Sequence, residues 1–73
     1  MTIYEIIKGL REDNDLSQSK IANYLNISQS TYSRYENGSC NIPLETIIKL
    51  SQYYKISADY ILGLSYTYDR PKR

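Results

Sequence analysis

The chain has 73 residues, a net charge of +1, one cysteine, nine tyrosines, and no histidine, tryptophan or phenylalanine. That length allows one domain with a marginal core, because so short a chain buries only about 60% of its unfolded surface. A single cysteine without histidine excludes an intrachain disulfide and a cysteine or histidine metal site, and the near-neutral charge leaves nucleic-acid binding to local placement.

The N-terminus lacks a basic flank ahead of an apolar run, so no signal peptide is expected. No stretch approaches the ~20 apolar residues that cross a bilayer, so no membrane partner is expected. A reducing cytoplasm fits the cysteine usage.

Helix 1 is predicted from Thr2 to about Asp13, with Thr2 as N-cap and Glu5 completing a capping box. Ile3, Ile6, Ile7 and Leu10 recur at helical spacing and define its buried stripe. Glu12, Asp13, Asn14 and Asp15 end it, since acidic groups there oppose the helix dipole. Ser17 caps helix 2, whose inward face is Ile21, Ala22 and Leu25. Asn26 tolerates the left-handed conformation of a tight turn. Ser28 then caps helix 3, which runs to about Glu36 and closes at Asn37-Gly38.

Pro43 is expected at the first helical position of helix 4, where its missing N–H costs nothing. Ile47, Leu50 and Tyr54 form the inner stripe of that helix. Ile56-Ser57 opens helix 5, with Ala58, Ile61 and Leu62 as its apolar residues and Gly63 as its close. Residues 64–73 form a polar tail in which Leu64, Tyr66 and Tyr68 alternate like a short edge strand. The expected division is a domain over 1–63 and this tail.

Five apolar pairs cut across the helices at a spacing of hydrophobic staples: Met1/Ile6, Leu16/Ile21, Ile27/Tyr32, Ile42/Ile47 and Ile56/Ile61. They support five helix starts independently of propensity.

On helix 3, Tyr32 and Tyr35 share one face. Ser30, Ser33, Arg34 and Asn37 point the other way, with Gln29 on the flank. An ordinary solvated face is rich in Lys and Glu. This one is short-chained and polar, which lets it approach base edges closely. A glutamine amide pairs bidentately with adenine, a serine hydroxyl serves any base, and an arginine reaches guanine or phosphate. Arg34 either reaches DNA or folds back onto a carboxylate. Ala22 sits where helices 2 and 3 must cross closely. The short turn, that small residue and the apolar positions Ile21, Leu25, Ile27, Tyr32 and Tyr35 specify a helix-turn-helix.

Gln18, Ala22, Ile27-Ser28-Gln29-Ser30, Ser33-Arg34-Tyr35-Glu36-Asn37-Gly38, Leu44-Glu45-Thr46-Ile47 and Asp59-Tyr60-Ile61-Leu62-Gly63 resemble the phage repressor/Cro type of helix-turn-helix regulator, which includes the xenobiotic-response-element regulators. The resemblance covers roughly residues 3–63. It implies an all-α, five-helix, lambda-repressor-like DNA-binding domain that binds a near-palindromic operator as a homodimer. It further implies that Gln29, Ser30 and Ser33 read bases, and that Gln18 touches a phosphate and braces Gln29. Asn37 would contact a phosphate, and Arg11 would pair with Glu36. Lys20 is a further candidate for phosphate contact. Two positions depart from the family pattern. Asn26 stands where glycine is usual. Tyr32 stands where Ile or Val is usual and must bring its hydroxyl to a polar edge.

The expected function is a sequence-specific regulator, with repression as the expected outcome. The alternative is a protein-interaction module that keeps the fold, such as an antitoxin-like subunit. No effector domain is expected, so any switch would come from a regulatory protein, a peptide or turnover. No glycine-rich phosphate loop and no nucleophile beside a base is present, so no enzymatic activity and no cofactor are expected.

Overall fold

The computed structural model describes residues 2–63. Five helices follow one another: α1 (Ile3–Asp13), α2 (Gln18–Leu25), α3 (Gln29–Asn37), α4 (Leu44–Tyr54) and α5 (Ala58–Leu62). The Met1/Ile6 staple and the tail with its alternating tyrosines lie outside the described residues.

The helix starts follow their local signals. The Thr2 hydroxyl accepts from the Glu5 amide at 3.2 Å, and the Glu5 carboxylate accepts from the Thr2 amide at 2.8 Å, which is the expected capping box. Ser17, Ser28 and Ser57 accept from the amides of Lys20, Thr31 and Tyr60, each at 3.1 Å. Each such cap typically contributes about 1 kcal/mol.

Pro43 departs from expectation. Its φ of −61° suits a helix, but its ψ of 148° is extended, so Pro43 is the N-cap and Leu44 opens α4. Its fixed φ fits both positions, and the Ile42/Ile47 spacing, which requires an N-cap at 43, decides between them. As a consequence α4 is the one helix among the described residues with no side-chain cap.

The helix ends repeat a three-residue phrase. Asp15-Leu16-Ser17, Asn26-Ile27-Ser28 and Lys55-Ile56-Ser57 each place a left-handed residue, an apolar residue and a serine cap in succession, with φ of 56°, 63° and 59° at the first position. The amides of Leu16, Ile27 and Ile56 donate back to the carbonyls of Arg11, Ala22 and Ser51 at 3.0–3.1 Å. This is the Schellman closure. One apolar residue therefore closes the preceding helix through its amide and holds the staple position of the next. Gly38, at φ 80°, closes α3 in the same way through Ser39 to Arg34. A side chain at Gly38 would be strained by this φ, although its Cβ would meet the Tyr4 ring only at ordinary contact distance.

Packing joins α2 to α3, α4 to α5, and α1 to both α3 and α5. The core is Ile7, Ile21, Ala22, Leu25, Tyr32, Tyr35, Ile47, Leu50 and Ile61. Ala22 is 1% exposed, as a close helix crossing requires. Leu62, expected among the apolar residues of α5, is exposed, and so are Leu44 and Ile48 on α4. Of so short a helix only Ile61 is buried, with Ala58 partly buried against the core.

Candidate nucleic-acid interface

The staples and the Asn26 turn fix α3 against α2, and the remaining faces of α3 follow from that. Tyr32 and Tyr35 are buried with their rings edge-to-face, 6.3 Å between centroids. Gln29, Ser30 and Arg34 are exposed on the outer side, and Ser33 is half-buried beside them. The four candidate base-reading residues therefore share one accessible surface. Gln29 is the first residue of α3 and Gln18 the first of α2. Among the described residues Arg34 has no ion pair, so of its two readings the folded-back one is not adopted. Lys20 is exposed.

Asn37 ends α3, and its side-chain oxygen accepts from the amide of Ser39 at 3.0 Å and from the Ser39 hydroxyl. That bond fixes the amide group at the helix end while leaving its NH2 available to a phosphate.

Behind the surface lies a buried polar cluster. Glu36 has a side chain 4% exposed. Its Oε2 accepts from Arg11 Nε at 2.7 Å and from the Tyr32 hydroxyl at 2.6 Å. Its Oε1 accepts from Arg11 Nη2 and from Gln18 Nε2, both at 3.1 Å. Arg11 Nη1 also donates to the Leu16 carbonyl at 2.7 Å, which ties α1 to the turn before α2. Burial pushes the Glu36 carboxyl up, but the donors from Arg11, Tyr32 and Gln18, with the Arg11 charge, reverse this and hold it below the usual carboxylate range. Burial and the hydrogen bond to Glu36 push the Tyr32 phenol up, so it stays a neutral donor. The hydrogen bond to Glu36 raises the Arg11 guanidinium further.

The polar edge expected for the Tyr32 hydroxyl is a buried carboxylate. The ring is fully buried and finds the Glu36 carboxylate one turn along its own helix. One sequence expectation is corrected here, that of Gln18. Gln18 braces Glu36 and not Gln29, because the buried carboxylate is the stronger acceptor within reach. Sequence reasoning paired Arg11 with Glu36 but missed the other two donors. The Tyr32/Glu36 spacing of four residues was the available signal.

The cluster also takes the one acidic residue of the helix-turn-helix segment off its surface. Between Gln18 and Asn37 the charged residues are Lys20, Arg34 and Glu36. Glu36 is buried and neutralised by Arg11, so the exposed charge is positive.

The helix-turn-helix family matches residues 7–61, most of the chain. The chain belongs to the Cro/C1-type helix-turn-helix family. Within that family it is 38% identical over 50 residues to the cryptic phage CTXphi transcriptional repressor RstR of Vibrio cholerae, covering 68% of this chain and 45% of that protein. It is 39% identical over 57 residues to the antitoxin PezA of Streptococcus pneumoniae, covering 78% of this chain and 36% of that one. The chain spans about half or less of the length of the curated relatives it matches. The P22 c2 repressor, solved in complex with a synthetic operator, superposes with a TM-score of 0.80 at 22% identity, over 89% of this chain and 98% of that one, which shows a shared fold. No described helix is long and apolar enough to cross a membrane.

Proposed function

We propose that the chain is a cytoplasmic, sequence-specific DNA-binding regulator, a repressor, that inserts α3 into the major groove of a near-palindromic operator. The observation that carries this is the acid-free outer face of α3, where Gln29, Ser30, Ser33 and Arg34 stand together. Gln29, Ser30 and Ser33 read base edges, and Arg34 reaches guanine or a phosphate. Gln18, Lys20 and Asn37 hold phosphates around them and fix the register. Few basic groups contact DNA per protomer, so the active species is a homodimer on two half-sites. Exposed Leu44 and Ile48 on α4 and Leu62 on α5 are the surface available for that pairing.

Selection from a random duplex pool tests the reading. The wild-type chain should enrich a half-site motif, and Gln29→Ala/Ser33→Ala should lose it. No enrichment at low salt would sink the proposal. In the same assay Lys20→Ala should lower the slope of log K against log salt by about 0.9 for each phosphate it leaves without a cation.

The second reading is an antitoxin-like subunit. The similarity to PezA and the exposed apolar residues of α4 and α5 favour it. Those residues would then serve a protein or peptide partner, while α3 keeps its DNA role or loses it.

A further inference from the structure

We infer that the Tyr32 hydroxyl is a positioning group for DNA contact, acting through Glu36 on the side-chain amide of Gln18. This rests on the reading of α3 as the DNA-reading helix with Gln18 as a phosphate contact. Position 32 lies in the core at 0% exposure, where an apolar side chain would fill the same space without needing a partner. The hydroxyl meets its need at Glu36 Oε2, 2.6 Å away.

The carboxylate is then full. Oε2 takes Arg11 Nε and Tyr32, and Oε1 takes Arg11 Nη2 and Gln18, so each oxygen has two donors. A carboxylate offers about four lone-pair sites. All are used, and the donors come from α1, α2 and α3. Its plane is therefore determined.

Take Tyr32 away and Oε2 keeps one donor. The terminal torsion of a glutamate is broad, so the carboxylate turns to recover a partner. That turn moves Oε1, whose two bonds at 3.1 Å are the longest of the four. The Arg11 bond is held by the fork and its charge. The Gln18 bond is not, and it is released first.

Gln18 is half-exposed at the first position of α2. With one amide N–H on Glu36, the other is held at the surface for a phosphate. Released, the side chain must be reordered on binding, which weakens association. Because the contact is neutral and made to the backbone, its loss has a distinct signature. It is the same on every sequence and leaves the salt slope unchanged, since glutamine releases no counterion.

The test measures Kd of the full chain for its selected duplex and for an unrelated duplex, comparing wild type, Tyr32→Phe, Gln18→Ala and the double variant well below their melting temperatures. Tyr32→Phe should weaken both duplexes about threefold to tenfold, keep the salt slope, and add nothing in the Gln18→Ala background. No loss, or an equal loss in both backgrounds, would overturn the coupling and leave Tyr32 a packing residue. A wild type that binds neither duplex condemns the DNA reading and not the coupling. The Gln18 side-chain amide decides the coupling on its own by NMR. Its protons should exchange more slowly than those of exposed Gln52 in wild type, and Tyr32→Phe should speed them. If Tyr32→Phe does not fold, the wild-type comparison decides. A Gln18 amide matching Gln52 overturns the inference.

Discussion

Glu36 and Tyr54 are both polar groups set against the same core, near enough that the Glu36 charge acts on the Tyr54 phenol. The carboxylate receives four donors. The phenol oxygen, fully shielded, has no partner among the described residues. Burial pushes its pKa up to about 12. The α1–α2–α3 side is thus held by directional bonds that accept one arrangement. The α4 side around Tyr54 is held chiefly by ring packing, with Tyr53 edge-on at 5.2 Å and Tyr24 beyond it at 4.5 Å, and by a single longer hydrogen bond from Tyr24 to the Lys49 carbonyl at 3.3 Å. Directional bonding is concentrated where the angle of α3 must be fixed. Non-directional packing suffices where a helix serves as support.

The largest expected effect breaks the first side. Arg11→Ala leaves a buried carboxylate without its cation and should lower unfolding free energy by about 3–5 kcal/mol in urea titration. Lys49→Ala, on the exposed surface, should stay within about 0.5 kcal/mol. Equal losses would mean that the Arg11–Glu36 pair carries no structural weight.

Acid should act on the same pair. The folded Glu36 carboxyl lies below its ordinary 4.5. Its contribution is therefore complete above that value and is lost as pH falls through the folded pKa. Melting temperature should hold down to about pH 5 and then fall, and Glu36→Gln should flatten that fall. An unchanged acid profile in the variant would assign the transition to other carboxylates, such as Glu5, whose pKa is lowered by its hydrogen bond to the Thr2 amide.

The next comparison is of sign. Tyr32→Phe removes a donor from a charged acceptor and should cost about 1.5–3 kcal/mol, whereas Tyr54→Phe removes an unsatisfied buried hydroxyl and should gain about 1 kcal/mol. Shifts in the same direction would erase the contrast between the two sides. Smallest is Lys55→Gly. Lys55 holds φ 59°, a conformation that Asn and Asp visit more readily than Lys, so relief of strain should raise stability by up to about 1 kcal/mol by thermal melting.

Four of the five helix starts were legible in the sequence because caps and staples are signals within six residues, and the fifth, at Pro43, was off by one position. The outer face of α3 was legible for the same reason, since helical spacing alone separates Gln29, Ser30 and Ser33 from Tyr32 and Tyr35. The misreadings were of longer range or finer grain. Which acceptor Gln18 chooses depends on Glu36 coming from eighteen residues away. The Tyr24 hydroxyl reaches the Lys49 carbonyl across a helix pair, which no spacing announces. Pro43 turned on ψ, which its ring does not fix. The Asp15-Leu16-Ser17 phrase and its two counterparts escaped notice because their first residues differ chemically and share only a backbone conformation.

Those connectors bear on how fast the chain finds its fold. A helix that closes and restarts within three or four residues leaves almost no loop to order, and ordering loops is what slows assembly. α2 with α3 and α4 with α5 are sequence neighbours that pack on each other. Such local topology belongs to domains that fold in microseconds to milliseconds. The docking of α1 on α3 and α5 is the step that must bridge long separations. The guanidinium of Arg11 arrives with it, so the Glu36 carboxylate at the end of α3 gains its charged partner only when the two ends of the domain meet.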